Sequence, residues 1–173
     1  NLPGFWSFGG LAAGAGAAYV AARAVGEGRE WALLDAVVPA GLVVLACARF
    51  GCLSAGCDFG GPTDLPWGLR YPPGTPAAQA HGSLPIHPFP LYMVGVTLAA
   101  LSTGLLAGRD ARGVGGRVAF ATAACYFAGR LVAEAFRSPH SEALLSGGPV
   151  NLSQVLSLVA LVSLSLVWKR RER

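Results

Sequence analysis

Ionisable residues interrupt an otherwise apolar segment of this chain, where Arg130, Glu134 and Arg137 recur at i, i+4 and i+7. On an α-helix this spacing stacks the three side chains on one face. Such residues cost about 2.5–3.5 kcal/mol each inside a membrane span and are functional by default. Two interpretations are open: a structural ion pair of Glu134 with Arg130 beside a snorkelling Arg137, or a phosphate-binding cluster. Asp35, in another apolar segment, is predicted to be a helix-start or interface carboxylate.

Arg49 is a further cationic candidate, at the start of the stretch ARFGCLSAGCDFGG. Several glycines follow it, and glycine lets the backbone turn sharply and approach a ligand closely. We expect Arg49 to lie at the end of an apolar segment, on the same side of the molecule as Arg130 and Arg137. Three arginines converging there would suit a phosphate group.

The segment LPIHPFPLYM carries the one histidine that has promising surroundings. His87 is interpreted either as a hydrogen-bonded structural residue or as an acid or base that titrates near neutral pH. Tyr92 is predicted to be an aromatic residue of the membrane interface. His81 and His140 are expected in loops, with no catalytic constellation around them.

Cys52 and Cys57 flank a glycine turn in GCLSAGC, and three interpretations are open for them. They could form a disulfide, act as packing residues, or supply a reactive thiolate next to Arg49. A zinc site with His87 as third ligand would need a Cys spacing that this segment lacks, so no metal or cofactor is expected. Cys47 and Cys125 are predicted to be small packing residues inside spans.

Composition indicates which elements must position these residues. The chain has 173 residues, of which 53% are hydrophobic and only 13% charged, against about 25% charged in soluble domains. This composition excludes disorder, and the long apolar blocks differ from the alternation of a β-barrel. We predict an all-α, polytopic membrane protein with one transmembrane domain over residues 1–173 and an ordered outer loop over 49–87. About five spans are expected: Phe5–Ala24, Trp31–Ala48, Pro88–Leu106, Arg117–Phe136 and Val150–Trp168.

The distribution of basic residues predicts an orientation. The tail Lys169–Arg173 follows the last span and should be cytoplasmic by the positive-inside rule. Alternation then leaves Arg49, Arg70, Arg130 and Arg137 at the outer side or within a span. The chain starts without Met and without a visible signal peptide, so we expect either a trimmed N-terminus or the absence of earlier spans.

Four motifs in this order carry a family resemblance: GFWSFGGLAAG, ARFGCLSAGCDFGGPTDLPWGLRYP, HPFPLYM and GRLVAEAFR. Together they resemble the bacterial inner-membrane prolipoprotein diacylglyceryl transferases. The resemblance implies transfer of a diacylglyceryl group from phosphatidylglycerol to the thiol of a lipobox cysteine, with release of glycerol phosphate. It matches Arg49 to the family's essential arginine, Gly60 to the glycine that closes its signature, and Arg130 to an arginine that holds the headgroup. Glu134 and Arg137 accompany Arg130.

The sequence also departs from the family pattern. Cys52 and Ala55 replace signature asparagines, Cys57 replaces a glutamate, Phe8 replaces a histidine or tyrosine, and two early spans have no counterpart. These departures predict a divergent or N-terminally shortened member. The alternative is an inactive, lipid-binding or structural subunit of a larger membrane complex.

The resulting predictions of site and partners are specific. Arg49, Arg130 and His87 are expected to be catalytic. The expected partners are phosphatidylglycerol or another anionic phospholipid and a prelipoprotein signal peptide, with no nucleic acid. The substrate-binding set is Gly60, Tyr92, Glu134, Arg137, Arg70, Cys52 and Cys57.

Overall fold

A computed structural model describes residues 14, 16–24, 30–109, 115–138 and 152–171. The first predicted span, Phe5–Ala24, lies largely outside these residues, although residues 16–24 are helical. Phe8 and His140 also lie outside the described residues.

The described chain is built from long apolar helices, and four of them are long and apolar enough to cross a membrane. This confirms the predicted fold class of a polytopic, all-α membrane protein. Numbered from Glu30 onward, the helices are α1 (Glu30–Ala55), α2 (Pro76–His81), α3 (Phe89–Arg109), α4 (Arg117–Ala133) and α5 (Leu152–Arg171), with a 3₁₀ turn at Glu134–Phe136 after α4.

Helix α1 continues seven residues beyond its predicted end at Ala48, so the loop predicted to begin at residue 49 begins after Ala55. The helix ends at Gly56, whose φ of 66° is left-handed. There the N–H of Cys57 donates to the carbonyl of Cys52 at 3.1 Å, and that of Gly56 to Leu53 at 3.4 Å. This pair of bonds is a Schellman C-cap. Arg49 therefore lies on a helix and not in the loop.

Helices α3 and α4 pack closely because glycine brings their backbones together. A Cβ added to Gly104 would lie 2.0 Å from Oγ1 of Thr122, and one added to Gly129 would lie 2.7 Å from Cγ1 of Val96. Small residues of this kind let membrane helices approach each other. The contact orients α4, which carries Arg130 near its end.

Asp35 fixes the other end of α4. Gly116, at the N-cap position, has no side chain to cap the helix. The carboxylate of Asp35 on α1 accepts instead from the N–H groups of Gly116 at 2.6 Å and Ala119 at 2.8 Å. A carboxylate at a helix N-terminus also opposes the positive end of the helix dipole. The interface role predicted for Asp35 is therefore that of a cap between two helices.

The segment between α1 and α3 is an ordered cap, as expected. Phe59, Ala77 and Ile86 form its small buried core. Helix α2 begins with Thr75, whose Oγ1 accepts from the N–H of Ala78 at 3.3 Å. His81 is the last residue of α2, so the prediction that it lies in a loop is wrong. Its Nε2 lies 2.8 Å from Oγ of Ser138. The signal that was missed is Pro76 at the first helical position.

Candidate active site

Arg49 is buried on α1 because a carboxylate from the following loop meets it. Its Nη1 donates to Oδ2 of Asp58, and the two side chains are only 6% and 10% exposed. A buried guanidinium requires such a partner, since removal from water costs several kcal/mol per ion. Asp58 was not among the residues predicted from the sequence.

Glu134 lies between two arginines. Its Oε1 accepts from Arg130 and from Arg137, each at 3.2 Å, and its side chain is fully buried. The predicted pairing of Glu134 with Arg130 is therefore present. The prediction that one helical face carries all three residues is wrong, because α4 ends at Ala133 and Arg137 has extended backbone geometry after the 3₁₀ turn.

Asp58 also joins the two ion pairs into one network, because its Oδ1 accepts from Nη2 of Arg137. Among the residues that the structure describes, the network holds three guanidinium groups and two carboxylates, none more than 10% exposed. These five described groups together carry one net positive charge. Its members come from α1, the loop, the end of α4 and the turn that follows.

The buried Tyr126 contacts Arg130, which lies at one end of this network. Its hydroxyl accepts from Nη1 of Arg130 at 3.5 Å. Ser153 on α5 accepts from Nη2 of Arg130 at 3.2 Å. Arg49 and Arg130, predicted to converge, are joined through the carboxylates of Asp58 and Glu134, which share Arg137.

At Gly60 the loop packs against two other segments of the chain, at His87 and at Phe136. Its N–H donates to the carbonyl of His87 at 3.1 Å, and the N–H of Gly61 donates to that of Phe136 at 3.0 Å. A Cβ on Gly60 would lie 2.5 Å from Cβ of His87 and 2.7 Å from the oxygen of Phe136. Only glycine fits there, and this close contact brings His87 next to the end of α4.

His87 and Tyr92 form a hydrogen-bonded pair at the start of α3. Nδ1 of His87 lies 2.9 Å from the hydroxyl of Tyr92, which also accepts from Nε1 of Trp67 at 2.9 Å. The His87 ring meets that of Phe136 edge to face, with centroids 5.2 Å apart. Burial lowers the pKa of His87 below 6.5, because desolvation disfavours the charged imidazolium.

Three further residues of the predicted substrate-binding set are not members of the ion-pair network: Arg70, Cys52 and Cys57. Arg70 is exposed and donates to the carbonyl of Ser83 at 2.7 Å, which ties one part of the loop to another. Cys52 and Cys57 are free thiols that face each other across the Schellman turn just before Asp58. The structure therefore holds no disulfide at this turn.

Sequence comparison gives the family. The family model described as prolipoprotein diacylglyceryl transferase matches residues 2–169. The chain belongs to the prolipoprotein diacylglyceryl transferase family. No solved structure matches the chain.

Several prolipoprotein diacylglyceryl transferases are similar to this chain, all of them named phosphatidylglycerol–prolipoprotein diacylglyceryl transferase. The relative from Geobacter sulfurreducens is 35% identical over 145 residues, which cover 80% of this chain and 52% of the relative. Those from Acaryochloris marina and Legionella pneumophila strain Corby are each 33% identical, with 80% and 79% of this chain and 50% and 52% of the relatives covered. The chain thus spans about half the length of the relatives it matches.

The sequence analysis did not identify two residues of this site, Tyr126 and Asp58. Tyr126 precedes Arg130 by four positions, a spacing that places both on one helical face and could have revealed the pair. Asp58 gave no such signal, because a carboxylate nine residues from Arg49 and far from Arg137 in sequence reaches both only through the fold.

Proposed function

We propose that this multi-pass membrane protein transfers a diacylglyceryl group from phosphatidylglycerol to a cysteine thiol of a prolipoprotein. The convergence of Arg49, Arg130 and Arg137 in one buried network with a net positive charge carries this proposal. A phosphodiester headgroup has one negative charge, which would balance that network. Nε of Arg49 is buried and donates to none of the described residues, so a phosphate oxygen could accept from it.

The chemistry is a displacement at the carbon of the diacylglyceryl group that is bonded to the phosphate oxygen. The thiol sulfur forms a bond to that carbon while the bond from carbon to phosphate oxygen breaks, and glycerol phosphate leaves. Arg49 and Arg130 stabilise the charge that develops on the leaving phosphate. Fixed cations in a buried site do this without reorganisation.

His87 takes the proton of the thiol in this proposal. With Nδ1 protonated and donating to the hydroxyl of Tyr92, the ring is oriented and Nε2 can accept a proton. The lowered pKa of His87 keeps the imidazole neutral at pH 7. Glu134 orients Arg130 and Arg137 through its two ion pairs.

The decisive experiment incubates the purified chain with phosphatidylglycerol and a lipobox peptide and weighs the peptide by mass spectrometry. Arg49→Ala and Arg130→Ala should each lower the rate about 100-fold or more. Arg109→Ala, an exposed arginine at the far end of α3, is the matched control and should leave the rate unchanged. Full activity in both site variants would refute the assignment. Phosphatidylglycerol binding without transfer by the unmodified chain would instead favour the inactive, lipid-binding alternative.

We also infer that the chain lies in a bacterial inner membrane with its C-terminus in the cytoplasm. The last span, α5, ends in Lys169, Arg170 and Arg171, and Arg109 and Arg117 fall at the ends of α3 and α4 that share its side under alternation. The positive-inside rule places such ends in the cytoplasm. The Arg49 network then lies toward the outer leaflet.

A further inference from the structure

Asp58 makes one contact with each of two arginines from separate parts of the chain. Oδ2 accepts from Arg49 on α1, and Oδ1 accepts from Arg137 after α4. Each carboxylate oxygen thus serves one guanidinium. The side chain of Asp58 is 10% exposed, and those of the arginines are 6% and 8% exposed.

The electrostatics of this contact favour a role in positioning. Two buried guanidinium groups drawn toward one space repel each other, and a carboxylate between them offsets that repulsion. A charge network of this kind is seldom a net source of stability, because its members all lose their hydration. Arg137 is held from another direction too, with Cζ 5.2 Å from the centroid of the Phe89 ring.

The backbone around Asp58 is fixed on both sides. Asp58 has a φ of 55°, a left-handed conformation that is strained for a residue other than glycine. The Schellman turn at Gly56 and Cys57 precedes it, and the N–H of Ser138 donates to the carbonyl of Phe59 at 3.3 Å just after it. The surrounding structure therefore imposes the conformation that aims this carboxylate.

We propose that Asp58 is a positioning residue that holds the guanidinium groups of Arg49 and Arg137 in one orientation toward the phosphate of the donor lipid. This rests on the proposed function for the identity of that phosphate. Asp58 does not touch the reacting atoms. Its contribution is the geometry of two cations that would otherwise separate.

A kinetic comparison tests the role in positioning. Asp58→Asn removes the charge and keeps a residue that tolerates left-handed backbone. We expect kcat to fall at least about tenfold, with the KM for phosphatidylglycerol within about threefold, since the network becomes no less positive. The matched control is Asp64→Asn, the same change at an exposed position of the loop, which should alter neither constant. An unchanged kcat in a folded Asp58→Asn protein, or a higher KM with unchanged kcat, overturns the proposal.

A second measurement decides the proposal if the unmodified chain shows no transfer, a result that would count against the proposed function alone. Asp58→Asn should lower the Tm by about 5 °C or more, because it leaves two buried cations poorly paired. In an Arg49→Met/Arg137→Met background the same change should not lower the Tm, since a lone buried carboxylate is itself unfavourable. Equal losses of Tm in both backgrounds would overturn the proposal.

Discussion

His87, which is hydrogen-bonded to Tyr92, gives the proposed activity a pH dependence, because only its neutral imidazole can accept the proton of the thiol. Because burial lowers the pKa of His87, the neutral imidazole predominates above pH 6.5 and is lost as the pH falls through the lower, folded-state pKa. We expect kcat/KM for peptide transfer to fall with that acid limb. In His87→Asn that limb should disappear, and a low rate should remain whose pH dependence is that of the peptide thiol alone.

The pH–rate profiles of the wild type and of His87→Asn measure this limb. The same lipobox peptide is used with both proteins, so that titration of the peptide thiol affects the two profiles equally. Persistence of an acid limb with the same apparent pKa in His87→Asn would assign the titration to another group.

Gly60 offers a second test at the scale of one residue. Gly60→Ala should destabilise the protein by about 1–3 kcal/mol and abolish transfer, because the new Cβ collides with His87 and with the carbonyl of Phe136. The neighbouring Gly61 has open space around it, so Gly61→Ala should change stability by less than about 0.5 kcal/mol. Thermal unfolding in detergent and the transfer assay measure both. Similar behaviour of the two variants would contradict the steric explanation.

At the residue scale, the sequence predicts those contacts that local spacing controls. Arg130 and Glu134 are four apart on a helix, so their pairing could be expected. The position of Arg137 could not, because a 3₁₀ turn ends the helical spacing at Glu134. Asp58 depends on a left-handed backbone and on two distant segments, which no local pattern encodes.

At the scale of elements, the length of an apolar segment predicts that a helix is present more reliably than it predicts the residue at which the helix ends. Glycine alone does not end a membrane helix, since α1 continues through Gly51 and ends where Gly56 adopts a left-handed conformation. The extra turns matter for the site. They carry Arg49 inside the helix and place Asp58 directly after its C-cap.

The close contact between α3 and α4 should make the stability of the protein sensitive to the size of residue 104. Gly104→Ala should destabilise the protein by about 1–3 kcal/mol, because the new methyl group would overlap Oγ1 of Thr122. Thr122→Ala should be tolerated, since that buried hydroxyl makes no hydrogen bond with the described residues. It should also rescue Gly104→Ala.

Unfolding of the two single variants and the double variant measures the coupling, which we expect to be about 1 kcal/mol or more. Gly95→Ala, on the same helix with nothing near its Cβ position, is the matched control. Additive effects of the Gly104 and Thr122 changes would show that the two residues do not oppose each other.

At the scale of the whole molecule, two groups of described arginines differ in their surroundings. Arg49, Arg130 and Arg137 are buried against carboxylates, whereas Arg109 and Arg170 are exposed at helix ends. The buried group is the costly one in a membrane. The proposed anionic ligand would account for the buried group, and the proposed orientation would account for the exposed group.

The orientation can be tested independently of activity. With the C-terminus in the cytoplasm, green fluorescent protein fused after the last residue should fluoresce in bacterial cells, and alkaline phosphatase fused there should be inactive. Phosphatase inserted in the loop between α1 and α3, after the exposed Pro73, should be active, because the proposed orientation places that loop on the outer side. The reverse pattern would place the Arg49 network at the cytoplasmic leaflet, away from the thiol of a secreted prolipoprotein, and would remove the acceptor from the proposed reaction.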